Sequence, residues 1–101
     1  MPHRQAAKID ANQPAIVDTA RKLGASVQIL AAVGDGCPDI LVGYRNQNIL
    51  CEIKDGDNPP SARKLNDKQE TWHNEWRGQV CIIESVQEMI DLISKLARAA
   101  S

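Results

Sequence analysis

Long apolar runs are missing from this 101-residue sequence. No stretch approaches the roughly 20 residues that cross a bilayer, so no membrane-spanning helix is predicted. The segment Met1–Asp10 also lacks the apolar part of a secretion signal, and residues 1–9 are expected to be a flexible N-terminus. We therefore expect a cytoplasmic protein that does not interact with membranes.

Cysteine is scarce, and the three cysteines are Cys37, Cys51 and Cys81. An odd number without a CxxC spacing argues against a disulfide framework and against a zinc ribbon. Two of the three lie inside apolar runs, where a free cysteine usually behaves as a small buried hydrophobic residue. We therefore expect the thiols to be reduced.

An excess of positive charge is also missing, because 12 Lys and Arg are balanced by 13 Asp and Glu to a net charge of −1. A dedicated nucleic-acid-binding domain usually carries a basic surface. The deficit weighs only lightly against such a role, because a site that binds divalent cations concentrates carboxylates whose charge is offset when metal is bound.

Apolar periodicity and chain-breaking residues predict the element order αβββαβα. The predicted elements are a helix over Asn12–Leu23, strands over Val27–Val33, Asp39–Tyr44 and Asn48–Lys54, a helix over Asn66–Arg77, a strand over Val80–Ile83 and a last helix after Ser85. A chain of this length has room for one hydrophobic core. We therefore expect one α/β domain over residues 1–101, with a mixed four-stranded sheet flanked by helices.

An acidic and a basic residue alternate at the end of the third predicted strand. Side chains two residues apart on a strand share a face, so Glu52 and Lys54 project side by side. Asp39 stands at the start of the preceding strand, and a hairpin brings the start of one strand beside the end of the next. The three side chains should therefore converge at one end of the sheet.

Such a cluster has the groups that phosphodiester hydrolysis requires. Two carboxylates on rigid strands can hold a divalent cation that neutralises phosphate oxygens and activates a water molecule, and the carbonyl of Ile53 is a further ligand. Lys54 would orient the water and meet the developing charge, since an unperturbed lysine is a poor base at neutral pH. The alternative is a solvated Glu–Lys pair beside an ordinary Pro-Asp turn, because both motifs are common on surfaces.

Residues 36–39, Gly-Cys-Pro-Asp, and residues 51–56, Cys-Glu-Ile-Lys-Asp-Gly, resemble the signature of the PD-(D/E)XK nuclease superfamily. The continuation through Lys64, Gln69, Gly78 and Glu84 is similar to the small stand-alone VRR-NUC nucleases of phages and prophages, and the similarity spans roughly residues 8–95. The resemblance implies a restriction-endonuclease-like αβββαβ core with a C-terminal helix. It also implies Mg²⁺ or Mn²⁺ as cofactor, DNA hydrolysis that leaves a 5′-phosphate, and, for a phage enzyme, the host cytoplasm as its location.

The same resemblance implies individual roles for residues of this chain. It places the metal ligands on Asp39, Glu52 and the Ile53 carbonyl, and it makes Lys54 the catalytic lysine. Gln69 matches the glutamine that the family carries on the helix after the motif, so it is assigned to the catalytic set. The structural alternative for Gln69 is a capping box with Asn66.

The first helix departs from the pattern that the resemblance implies. Many relatives place a glutamate there as a further metal ligand, but the corresponding positions here hold Asn12, Gln13 and Ala15. Gln13 lies on the inward-facing stripe of the helix and is assigned as a neutral substrate contact. More often such a residue satisfies a helix end, and that alternative stays open.

Five further residues near the motif have both a functional and a structural interpretation. Arg63 and Lys64 are expected to contact phosphates, although charged loop residues are commonly only solvated. Trp72 and Trp76 could stack on bases, but their spacing on an apolar stripe predicts core positions. His73 could bind phosphate or metal, and we expect instead a surface histidine.

Three functions of different classes are compatible with these patterns. The first is a metal-dependent DNA endonuclease, structure-specific for branched or junction DNA. The second is a catalytically inactive nuclease-fold module that binds or assembles in a phage or host complex. The third is a structural α/β domain in which Glu52 and Lys54 form a surface pair. The complete set of Asp39, Glu52 and Lys54 favours the enzyme.

The small number of basic residues also predicts a homodimer. One copy can neutralise few phosphates, whereas two copies related by a two-fold axis double the contacts. The surface for pairing is expected on the last helix, whose apolar stripe includes Ile90, Ile93, Leu96 and Ala97. Packing of that stripe inside a single domain is the alternative.

Overall fold

The computed structural model describes residues 9–100, so the flexible segment expected over residues 1–9 lies outside the described residues except for Ile9. Its elements are α1 (Gln13–Lys22), β1 (Ser26–Ile29), β2 (Ile40–Tyr44), β3 (Gln47–Ile53), α2 (Asp67–Glu75), β4 (Val80–Ile83) and α3 (Val86–Ala99), with a 3-10 turn at Pro60–Ala62. The predicted element order αβββαβα is confirmed for this part of the chain.

Helix α1 begins where the sequence predicts. Pro14 lies in its first turn, where the missing N–H costs no hydrogen bond, and Ile16 and Ala20 are buried. Asn12 precedes the helix, and its side-chain nitrogen donates to the backbone carbonyls of Lys54 and Glu84, both at 3.1 Å. These two bonds attach the start of α1 to the ends of β3 and β4.

The four strands form one mixed sheet in the order β1-β2-β3-β4. The first two pairings are antiparallel, and β3 pairs with β4 in parallel. The turn between β2 and β3 consists of Arg45 and Asn46, whose φ angles of 49° and 64° fit the left-handed two-residue turn of a tight hairpin. This turn sets the register that pairs Ile40 with Cys51.

Strand β1 is shorter than predicted. The expected strand reached Val33, but β1 ends at Ile29, and the N–H of Val33 bonds to the carbonyl of Leu30 in a turn. The ladder ends because the chain must turn here to return along β2, and Val33 is left 61% exposed. The apolar run of the sequence therefore extends beyond the end of β1.

One face of the sheet carries the hydrophobic core, and α1 and α3 cover it. Helix α3 contributes three buried side chains, Met89, Ile93 and Leu96. Two of the four residues that were expected to pair two copies, Ile93 and Leu96, are therefore buried inside the domain, and Ile90 and Ala97 remain half-buried. No helix in the described part of the chain has the length and hydropathy needed to span a membrane.

The opposite face of the sheet carries Leu50, Glu52 and Ile82, and Gln69 of the short helix α2 contacts Glu52 on this face. The prediction that Trp72 and Trp76 belong to the core is wrong. Their rings stack on each other with centroids 4.6 Å apart, and Trp76 is 44% exposed. Helix α2 ends two residues earlier than predicted, and Trp76 has extended backbone, so the helical stripe stops before this residue.

Candidate functional site

Asp39 lies directly before β2 and opposite the end of β3. Ile40 pairs with Cys51 in the antiparallel ladder. Asp39, the residue before Ile40, therefore lies opposite Glu52, the residue after Cys51. Asp39 Oδ2 accepts a hydrogen bond of 2.7 Å from the backbone N–H of Ile53. The hairpin register and this bond together hold the Asp39 carboxyl beside Glu52.

Glu52 is a buried acid, with only 2% of the residue exposed. The pKa of Glu52 is raised to about 9, first by burial and then by its contact with Asp39 and by the charges of Asp39 and Asp10, whereas the charge of Lys54 lowers it. Two adjacent carboxyls cannot both be ionised cheaply, so the pair holds a proton at neutral pH. Any group that replaces this proton must supply positive charge.

Gln69 connects Glu52 to Lys54. Its amide nitrogen donates to Glu52 Oε2 at 3.1 Å, and its amide oxygen accepts from Lys54 Nζ at 2.9 Å. The same oxygen accepts from the N–H of Asn66 at 3.0 Å, which completes a capping box at the start of α2. Gln69 therefore caps helix α2 and also contacts Glu52 and Lys54.

These side chains line a cavity of about 410 Å³ that opens between the sheet, the loop before β2 and the start of α2. The lining includes Asp10, Gly34, Gly36, Cys37, Asp39, Glu52, Lys54, Lys68 and Gln69. Gly36 has a φ of +84°, and a Cβ on it would overlap the backbone carbonyl of Lys68. The loop can therefore pack against α2 only with glycine at this position.

Asp10, Cys37 and Lys68 line the cavity but were not among the predicted site residues. Asp10 precedes α1, and its charge raises the pKa of Glu52. The resemblance implies an acid on the first helix, at Asn12 or a neighbouring position, whereas Asp10 lies just before α1 and lines the cavity. The pKa of the Cys37 thiol is raised by burial and by the charges of Glu52 and Asp39, so the thiol stays protonated.

His73 is not the surface histidine that we expected. Its side chain is only 12% exposed, and Nε2 lies 3.9 Å from Glu52 Oε1, while neither atom has a hydrogen-bond partner among residues 9–100. Burial and the charge of Lys54 lower the pKa of His73. Since both groups favour their neutral forms, the contact is not an ion pair. The spacing of four residues from Gln69 is the signal that places His73 on the same face of α2.

The predicted substrate contacts lie in different surroundings. Gln13 is buried at 4% exposure and does not line the cavity. Arg63 forms an ion pair of 3.4 Å with Glu84 and donates to the carbonyl of Asn58, so its charge is balanced within the domain. Lys64 is exposed. The structure thus brings together Asp39, Glu52, Lys54 and Gln69, but not these three residues.

The chemistry of the site follows from its two carboxyls. Within residues 9–100, no three His, Cys, Asp or Glu side chains already form a metal-ligand group. Asp39 and Glu52 instead form a pair whose proton a cation could replace, and Lys54 supplies a positive charge in the same cavity. Comparison of the chain with known protein families, with characterised proteins and with solved structures finds no match.

Proposed function

We propose that this chain is a nuclease of the PD-(D/E)XK superfamily with a restriction-endonuclease-like fold, which hydrolyses phosphodiester bonds of branched or junction DNA in the cytoplasm. One observation carries the proposal: the buried Glu52, which lies beside the half-buried Asp39, is joined through Gln69 to Lys54, and all four residues line one open cavity. A solvated surface pair would not be buried or held by an amide from another element.

The carboxyl pair favours a divalent cation as cofactor. A buried carboxyl without a partner is costly, and Glu52 Oε1 has no hydrogen-bond partner within the described chain. The residues that would hold Mg²⁺ or Mn²⁺ are Asp39, Glu52 and the carbonyl of Ile53, with Asp10 as a further acid in the same cavity. A bound cation would neutralise phosphate oxygens and make a bound water more acidic.

Lys54 and Gln69 would orient the reacting groups. Lys54 is half-buried and donates to Gln69 Oε1 over 2.9 Å, so its amine is held at the cavity rather than free in solvent. A fixed amine in this place can hold an attacking water and stabilise charge that develops on the phosphate oxygens. Gln69 keeps Glu52 and Lys54 at a fixed separation, which makes it a positioning residue for both.

The phosphate backbone would be held by Lys68 at the cavity and by Lys64 on the exposed surface outside it. Lys68 lines the cavity, and its ion pair with Asp35 is 3.8 Å long between highly exposed side chains, so it is weak and can exchange for a phosphate. Lys64 is exposed and follows the loop that carries Arg63. Arg63 serves this role less well, because Glu84 already balances its charge.

The proposal includes a homodimer as the active species. The net charge of −1 leaves each copy with few cations for phosphates, and two copies would double the number of phosphate contacts. The half-buried Ile90 and Ala97 are what α3 can still offer to a partner. Light scattering at micromolar concentration measures the mass, and a monomer that cuts both strands at full rate would remove pairing from the proposal.

Cleavage of labelled DNA tests the proposed function. The purified chain is incubated with linear duplex, branched DNA and RNA, each with Mg²⁺, with Mn²⁺ or with EDTA. We expect cleavage of branched DNA that leaves a 5′-phosphate with either cation, and none with EDTA. A folded chain that binds Mn²⁺ but cuts none of the substrates would instead support the inactive assembly module.

A further inference from the structure

Two of the three free cysteines are direct neighbours across β3 and β4. Cys51 pairs with Cys81 in the register of the parallel strands, and their Sγ atoms lie 3.6 Å apart. Both side chains point to the core face, where Cys51 is completely buried and Cys81 is half-buried. The pairing of β3 with β4 therefore holds the two thiols next to each other.

We propose that Cys51 and Cys81 form a reversible disulfide, which makes the β3–β4 pair a site of oxidation by a peroxide. Neighbouring strands lie about 4.8 Å apart, a separation within the Cα range of roughly 4.4–6.8 Å that disulfides span. The sulfur atoms need to approach from 3.6 Å to about 2 Å, which side-chain rotation can supply without moving either strand. This inference does not depend on the proposed nuclease activity.

The reaction consumes one equivalent of peroxide. The sulfur of Cys81 attacks an oxygen of hydrogen peroxide, the O–O bond breaks, and Cys81 becomes a sulfenic acid with release of one water. The sulfur of Cys51 then attacks the Cys81 sulfur, the S–O bond breaks, and the thiol proton leaves with the oxygen as a second water. Two thiols are oxidised, the peroxide is reduced, and a dithiol reductant reverses the change.

The two thiols differ in a way that suits these roles. Cys81 is half-buried, whereas Cys51 is completely buried. The sulfur of the more exposed cysteine is therefore the one that a peroxide oxidises first, and the buried sulfur resolves the sulfenic acid.

The bond would affect the candidate site through the chain. Cys51 directly precedes Glu52, and the crosslink closes a segment of the chain that contains Lys54 and Gln69. Oxidation would thus join β4 covalently to the strand that carries the buried acid.

Mass spectrometry of the full-length chain tests the proposal. The protein is treated with hydrogen peroxide at low molar excess, denatured, alkylated and mapped by non-reducing peptide analysis. We expect the loss of two hydrogen atoms from the wild type, a Cys51–Cys81 linked peptide, one remaining alkylated thiol at Cys37, and full reversal by dithiothreitol. Three alkylated thiols, or a bridge that involves Cys37, would overturn the proposal.

Variants provide the matched control. Cys37→Ser should form the bridge as the wild type does, whereas Cys81→Ser should lose it. The half-buried Cys81 is the position that tolerates serine better, so the test does not rely on a change at the fully buried Cys51. A folded Cys81→Ser variant that still loses two hydrogen atoms would contradict the assignment, and the linked peptide of the wild type decides the question without any variant.

Discussion

Gln69 donates a hydrogen bond from its amide nitrogen to Glu52 Oε2 over 3.1 Å, although the two residues lie on different elements. The amide oxygen accepts at the same time from the capped helix end and from Lys54. One side chain therefore ties the start of α2 to the face of β3 that carries the buried acid. The helix cap and the candidate site form one hydrogen-bonded unit.

Replacement of Gln69 should affect activity more than folding. Gln69→Ala removes the link between Lys54 and Glu52, and we expect cleavage of branched DNA to fall about 10–100-fold, the usual effect of a residue that orients metal ligands. Loss of the cap interaction should cost only about 1 kcal/mol of unfolding free energy. Activity is measured as the initial cleavage rate and stability by denaturant unfolding.

The matched control for Gln69→Ala is its neighbour Glu70, which is exposed on the same turn of α2. Glu70→Gln should leave both the cleavage rate and the unfolding free energy nearly unchanged. A Gln69→Ala variant with wild-type cleavage would show that Gln69 acts only as a helix cap.

The stability of the metal-free protein should depend on the proton of Glu52. Its pKa is raised from the ordinary 4.5 to about 9, so the folded state binds more protons than the unfolded state between these values. The contribution of Glu52 to the free energy of unfolding is therefore fully present below about pH 4.5 and is lost as the pH rises towards 9. Glu52→Gln has no such proton, so its melting temperature should exceed that of the wild type by more at pH 8 than at pH 5.

Thermal melts of both proteins across this pH range provide the measurement, with Glu70→Gln as the exposed control. Subtraction of the wild-type curve removes the contributions of all other titrating groups. A constant difference between Glu52→Gln and the wild type from pH 5 to pH 9 would contradict the raised pKa.

Divalent cations should stabilise the folded chain through the carboxyl pair. A ligand at 100 times its Kd adds about 2.7 kcal/mol, so saturating Mn²⁺ should raise the melting temperature of the wild type by several degrees. The rise should be larger at pH 8 than at pH 6, because the cation competes with the proton of Glu52. Calorimetric melts with and without Mn²⁺ measure it, and an equal rise in Glu52→Gln would place the cation elsewhere.

The loop before β2 should depend on glycine at one position more than at another. Gly34 and Gly36 both have positive φ angles, 76° and 84°, but a Cβ meets nothing within 4 Å at Gly34 and overlaps the Lys68 backbone at Gly36. Gly34→Ala should cost about 1 kcal/mol for the φ angle alone, and Gly36→Ala about 2–4 kcal/mol. Denaturant unfolding compares them, and equal losses would contradict the close contact between the loop and α2.

Local patterns predicted the parts of the site that lie on one hairpin. The period of a strand and a short hairpin are enough to bring Asp39 beside Glu52, and both are predicted from the sequence. The turn itself has two residues, Arg45 and Asn46, and not the three that separate the predicted strands. Asp10 lines the cavity, and His73 lies beside Glu52, because the segment before α1 and the helix α2 pack against the sheet. The spacing from Gln69 gives the face of α2 on which His73 lies, but not what that face contacts. The sequence gives the type of each residue and its neighbours along the chain, but the distance between residues on different elements depends on tertiary packing.

The errors have a related physical origin. Trp72 and Trp76 have the spacing of a core stripe, but α2 is too short and too weakly packed to bury them. Arg63 has the charge of a phosphate contact, but Glu84, which follows β4 and lies 21 positions further along the chain, balances it.

We propose that Glu52 and Lys54 carry metal-dependent phosphodiester hydrolysis. The most direct measurement is the initial rate of cleavage of labelled branched DNA in Mn²⁺ by the wild type, Glu52→Gln, Lys54→Ala and the control Glu70→Gln, each shown to be folded by circular dichroism. We expect the rate to fall roughly 100-fold or more in Glu52→Gln and in Lys54→Ala, and to stay at the wild-type level in Glu70→Gln. Full cleavage by folded Glu52→Gln would contradict the account.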